Sequence, residues 1–130
     1  MIVGHGIDVV EITRIQSAIE SSERFLGKVF TEKEIEYCCK RKSLYHSFAA
    51  RFAAKEAFLK ALGLGLQDGM SFKDIEVVNN DQGKPIIKLY NKALEIFNSL
   101  KISNLSVSLS HSDTVAVASV VFERYEHINN

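Results

Sequence analysis

RFAAKEAFLKALG, residues 51–63, decides the fold. At about 100° of turn per residue, Phe48, Phe52, Leu59 and Leu62 fall on one stripe of a helix. Ala50, Ala53, Ala57 and Ala61 fall on a second stripe, roughly opposite. A helix apolar on both sides is buried or nearly so. Its small-residue stripe also lets another backbone approach closely. Yet Arg51, Lys55, Glu56 and Lys60 lie inside it. Lys55 sits near the middle of the Phe/Leu stripe, with Arg51 on one edge and Glu56 on the other.

A bare charge buried in protein is costly, so these side chains must pair, snorkel or bind something. One reading pairs them: Glu56 with Lys60 at i,i+4, Arg51 with a distant carboxylate, and Lys55 snorkelling along its methylene stem. The other reading is a divalent ion with phosphates, where the carboxylate holds the ion and the cations neutralise phosphate oxygens.

Outward from this helix the chain alternates elements. IVGHGIDVVEI (2–12) is rich in β-branched residues and predicts an interior strand in which Asp8 and Glu11 are anomalous. TRIQSAIESSERFLGKVF (13–30) predicts one short amphipathic helix with irregular ends. Thr31 and Glu34 form a capping box that opens the next helix, which runs to a break at 41–43. The central helix follows and stops at GLGLQDG, residues 63–69. FKDIEVVNNDQGKPIIKLY (72–90) predicts two strands around an Asn/Asp/Gly turn. NKALEIFNSL (91–100) is helical. LSVSLSH (105–111) alternates strictly, with Leu105, Val107 and Leu109 on one face. A tight HSD hairpin leads to the last strand, TVAVASVVFER (114–124), and the residues beyond 125 form a frayed tail. The order β-α-α-α-β-β-α-β-β with hairpins predicts an α+β domain over residues 1–125. Its mostly antiparallel sheet packs against the long central helix.

Composition bounds the function. The 130 residues hold 16 basic and 16 acidic side chains and 46% apolar residues. That is one domain's worth of chain, with enough apolar material for a core. Balanced charge argues against nucleic acid, so any anion site must be built locally. Cys38 and Cys39 are adjacent, a spacing that suits neither a disulfide nor a zinc site, and they read as reduced thiols of a cytoplasmic protein. The N-terminus lacks the marks of a signal peptide, and no apolar run reaches the roughly 20 residues of a membrane span.

Magnesium takes one or two protein carboxylates and fills its shell with phosphate and water. Glu56 supplies one. Asp8, an acid in an otherwise interior strand, is the natural second, although a surface-facing edge position would also explain it.

GIDVVEI followed some forty residues later by RFAAKEAFLKALG resembles the holo-acyl-carrier-protein synthase family, the short, single-repeat branch of the 4'-phosphopantetheinyl transferases. GKPII and the strand ending SLSHSD fall in the same order as that family's comparable segments. The resemblance implies the 4'-phosphopantetheinyl transferase fold in a single copy. It also implies transfer of the 4'-phosphopantetheine arm of coenzyme A to a serine of apo-acyl carrier protein, in support of fatty acid biosynthesis. The by-product would be adenosine 3',5'-bisphosphate.

By resemblance, Asp8 and Glu56 are magnesium ligands, and Arg51, Lys55 and Lys60 look toward coenzyme A phosphates. Lys60 would also stabilise charge building on the oxygens as the bond breaks. Glu56, or a water on the metal, is the candidate base for the serine proton. Ser110 and His111 fall near the nucleotide end of coenzyme A. Lys84 and Pro85 fall at its adenine or 3'-phosphate. Read without the family, His111 is a turn histidine bonded to a backbone carbonyl. His5 and His46 match no family motif and read as structural. Acyl carrier protein is acidic and would meet Arg14, Arg24 and Lys28 on and just beyond the helix after the first strand. Glu20 and Glu23 make that helix less basic than the family pattern. Larger relatives hold the fold twice in one chain, so a single copy would need its missing half from another subunit, and the resemblance implies a homotrimer with sites between subunits. The competing classes are a non-catalytic binding module for coenzyme A or acyl carrier protein, and a structural oligomerisation domain.

Overall fold

The structure is a computed structural model that describes residues 1–66 and 69–126. The tail expected beyond residue 125 lies almost wholly outside the described residues. Strand β1 (Ile2–Glu11) runs directly into helix α1 (Ile12–Ser21), with Glu11 as both the last strand residue and the N-cap. Helices α2 (Glu23–Val29), α3 (Glu32–Cys39) and α4 (Leu44–Leu62) follow. A 3-10 turn (Phe72–Asp74) leads to strands β2 (Ile75–Asn79) and β3 (Pro85–Leu89), then helix α5 (Asn91–Ser99) and strands β4 (Asn104–His111) and β5 (Val115–Glu123).

The α+β class and the antiparallel pairing hold throughout, but the strands divide. β1, β5 and β4 form one sheet in that order, and β2 pairs with β3 in a separate ribbon. α4 lies at the centre of the molecule. Ten of its residues are buried, among them Phe48, Ala53, Ala57, Phe58, Arg51 and Lys55. The inward row of β5 (Ala116, Ala118, Val120, Phe122) closes the core against it, with Phe122 edge-on to both Phe58 and Phe97, which tilt at 33° to each other.

Local chemistry explains the element ends. Thr31 Oγ1 accepts from the Glu34 N–H while Glu34 accepts from the Thr31 N–H, completing the predicted capping box. Gly63 ends α4 in the left-handed region at φ 77°, and its N–H reaches back to the last carbonyls of the helix. Gly83, at φ 82°, turns β2 into β3 around Asn80, whose side chain accepts from the Gln82 and Lys84 N–H groups.

Three expectations change. β1, expected in the interior, is an edge strand in which only Gly6 and Val10 are buried. The segment 13–30 is two helices, because Ser22 is extended at φ −145°, ψ 119°. The strand expected to start at Phe72 begins at Ile75, because Ser71 and Asp74 form a second capping box around a short turn.

Candidate active site

Strand β1 passes across α4 at the small-residue stripe. Its inward row is Gly4, Gly6, Asp8 and Val10, paired with Phe122, Val120, Ala118 and Ala116 of β5. Two glycines let the strand backbone approach the α4 backbone, and the next inward residue is Asp8. That places Asp8, half-buried, beside Glu56 and Lys60. Asp8 Oδ1 accepts from Lys60 Nζ at 3.0 Å, and the same ammonium reaches the Ile7 carbonyl at 3.1 Å. The pairing considered for Glu56 with Lys60 is thus replaced by Asp8 with Lys60. Desolvation raises the Glu56 carboxyl above its ordinary value, the nearby Asp8 charge raises it further, and Lys60 and Arg14 oppose both. The two carboxylates repel across half-buried protein, and Lys60, paired with Asp8, offsets part of that repulsion.

About 7.5 Å back along the axis of α4, five residues at 1.5 Å each, Arg51 opens a second feature. Its Nη2 donates to Asn79 Oδ1 at 2.8 Å, its guanidinium lies 4.1 Å from the centre of the Tyr37 ring, and its buried Nε makes no hydrogen bond. It lines a groove of about 210 Å³ together with Tyr37, Arg41, Asn79, Pro85, Ser110 and His111. A second groove of about 400 Å³ joins it through Arg41, Ser47 and His111 and adds Lys40, Lys42 and Ser43. His111 Nδ1 lies 3.4 Å from the Ser112 carbonyl, and its ring meets His46 edge-on at 5.1 Å. Lys84 is exposed on the adjoining turn.

The structure therefore brings Asp8, Glu56 and Lys60 into one cluster and Arg51, Pro85, Ser110 and His111 into a neighbouring groove. Lys55 belongs to neither, which corrects its expected place. It lies one turn beyond Arg51, fully buried, paired with Glu34 at 2.8 Å and donating to the carbonyls of Phe72 and Ile75. An ammonium has three N–H donors, and all three are used, so none is left for a phosphate. Burial holds its pKa below the ordinary lysine value and the Glu34 charge opposes that.

Sequence reasoning missed Tyr37, Asn79 and the run Lys40, Arg41, Lys42. The run carried a signal, three cations in a row at a helix break, whereas Tyr37 and Asn79 become part of the groove only through the packing of α3 and the β2–β3 turn on α4. Arg14, Arg24 and Lys28 are all exposed, with Arg14 on α1 near Glu56 and the other two on α2 beyond the break at Ser22.

Residues 4–118 match the family model described as the 4'-phosphopantetheinyl transferase superfamily. The chain belongs to that superfamily. A holo-[acyl-carrier-protein] synthase of Geobacter sulfurreducens is 50% identical over 125 residues, 95% of this chain and 99% of that protein. One from Geobacter sp. strain M21 is 49% identical over 95% of this chain and 100% of its own length. Among solved structures, a holo-(acyl-carrier-protein) synthase from Bacillus anthracis in complex with CoA (3',5'-ADP) is 39% identical, with TM-score 0.78 over 96% of this chain and 99% of that one. A holo-[acyl-carrier-protein] synthase from Neisseria meningitidis is 34% identical, with TM-score 0.84 over 95% of this chain and 100% of that one. The family assignment covers both the Asp8 cluster and the groove beside it.

Proposed function

We propose that this member of the superfamily is a magnesium-dependent holo-acyl-carrier-protein synthase. The observation that carries the reading is the placement of Asp8, Glu56 and Lys60 in one cluster, next to a groove lined by Arg51 and His111. The matched relatives named for this activity, and those whose structures hold coenzyme A, support it.

The donor set fits magnesium. Among the described residues no group of three or more His, Cys, Asp or Glu side chains could hold a metal. Two carboxylates are nevertheless what this ion takes when phosphate and water fill the rest of its shell. Asp8 and Glu56 would hold it, and the bound ion would neutralise pyrophosphate oxygens. Arg51, Lys60, Lys84, Pro85, Ser110 and His111 would bind coenzyme A, with the cations nearest its phosphates. The serine oxygen of the carrier attacks the β-phosphorus, and the bond to the α-phosphate oxygen breaks. The electron pair leaves on adenosine 3',5'-bisphosphate, where Lys60 would offset the new charge. Glu56 would take the serine proton.

Residues 1–125 act as one domain in this reading, with one copy of the fold per chain. Ile7 and Val9, 53% and 59% exposed, lie on the outer face of the β1–β5–β4 sheet. Exposed β-branched residues there suit contact with further copies of the chain, as a homotrimer requires. Arg14, Arg24 and Lys28 would meet the acidic carrier. Among the described residues no helix is long and apolar enough to cross a membrane, and Cys38 and Cys39 are free thiols. A cytoplasmic setting and a role in fatty acid biosynthesis complete the reading.

The test is the mass of apo-acyl carrier protein after incubation with this protein, coenzyme A and magnesium. The expected result is a gain of one phosphopantetheine arm, lost with Glu56→Ala and with a chelator. No gain on several carriers, with coenzyme A still bound, would replace the transferase with a binding module.

A further inference from the structure

The close approach of β1 to α4 is tighter than helix–strand packing requires. A Cβ built on Gly6 would lie 1.9 Å from the Ala57 carbonyl oxygen and 2.7 Å from the Ala61 nitrogen. One built on Gly4 would lie 2.7 Å from the Ala61 carbonyl oxygen and 2.8 Å from Phe122 Cδ2. At Gly6 both obstacles are helix backbone, so no side chain can swing aside to make room. The two points of contact, Ala57 and Ala61, each follow by one residue the charged groups of the site, Glu56 and Lys60. Asp8 is the next inward residue of the same strand, about 6.7 Å from Gly6 at two residues of strand rise.

We propose that Gly6, with Gly4 behind it, is a positioning residue that sets the span between Asp8 and Glu56, so that a short carboxylate at position 8 completes the ion site. This rests on the reading of Asp8 and Glu56 as the carboxylates that hold the ion. With a Cβ at position 6, strand and helix must separate by about 1 Å or more, since buried atoms do not interpenetrate. Magnesium accepts oxygens only near 2.0–2.1 Å in near-octahedral geometry. A carboxylate displaced that far can no longer share the ion with Glu56. One extra methylene at position 8 in the native strand overshoots by a similar length. The two changes therefore offset each other.

The experiment is a four-corner cycle on the full chain: native, Gly6→Ala, Asp8→Glu, and Gly6→Ala with Asp8→Glu. Mn2+ is titrated with saturating coenzyme A present, and the free ion is followed by its electron paramagnetic resonance signal against a coenzyme-only control. Each single change is expected to weaken Mn2+ binding at least ~10-fold, and the double change to recover most of it. Independent effects would instead multiply to roughly 100-fold. A purely structural role for Gly6 gives no recovery and overturns the inference. Native-like binding by Gly6→Ala overturns it too. If Gly6→Ala does not fold, Asp8→Glu alone decides: weakened binding supports the fixed span, and undiminished binding overturns it. No Mn2+ binding by the native chain sinks the ion site itself, and the inference with it.

Discussion

Lys55 offers a sharp separation between a side chain that binds substrate and one that builds the fold. Replacing it with methionine keeps the length and removes the charge. Glu34 is then left as a fully buried carboxylate held by the Thr31 and Val77 N–H groups alone, and the carbonyls of Phe72 and Ile75 lose a donor. Breaking one side of a buried pair costs about 3–5 kcal/mol. For a chain of this size each kcal/mol is worth roughly 3–5 °C, so Lys55→Met is expected to lower Tm by about 10–20 °C. Adding Glu34→Gln removes the stranded charge and is expected to return part of that loss. Thermal unfolding measures both, and calorimetric titration of coenzyme A below the transition measures the other half. Binding to the folded fraction of Lys55→Met is expected to stay near native, because the ammonium has no free donor. An unchanged Tm with coenzyme A binding lost would refute the reasoning and return Lys55 to the phosphates.

Glu56→Gln is expected to abolish transfer while raising Tm at neutral pH. The folded carboxyl has a raised pKa, so the folded state holds its proton more tightly than the unfolded state does. Any stability from that proton is present below the ordinary carboxylate pKa and fades as pH rises through the folded value. The gain of the glutamine variant should therefore grow with pH across that window, and a pH-independent difference would count against the raised pKa that burial, and after it Asp8, imposes. Burial pushes the Cys38 thiol up to about 12, whereas Cys39 is exposed. A thiol reagent at neutral pH is expected to label one cysteine per native chain and two after denaturation, with peptide mapping locating the first at Cys39.

What the sequence made legible follows from what is local. The 3.6-residue period placed α4, the T-x-x-E box placed α3, and strict alternation gave the inward row Leu105, Val107 and Leu109 of β4. Asp8 stood out because an acid broke a β-branched run. The stripe Ala53, Ala57 and Ala61 anticipated a close backbone, and Gly4 and Gly6 supplied it. What stayed hidden depends on contacts between distant segments. Nothing near Lys55 in sequence pointed to Glu34, 21 positions earlier. Ser71 and Asp74 carried the same kind of capping signal as Thr31 and Glu34, but among apolar neighbours it read as strand. Arg51 looked for a carboxylate and found an amide and a ring, because the β2–β3 turn delivers Asn79 to it across 28 positions.

The junction at Glu11 has a mechanical consequence. With no loop between β1 and α1, and with the Ile12 N–H held by the Thr114 carbonyl at 2.9 Å, strand and helix behave as one stiff lever. Asp8 sits near the fulcrum and Arg14 six residues along the arm. A partner seated on that helix is thereby indexed to the carboxylate without any moving part. One residue inserted at the junction would turn the arm by about 100° and uncouple the two while leaving each intact.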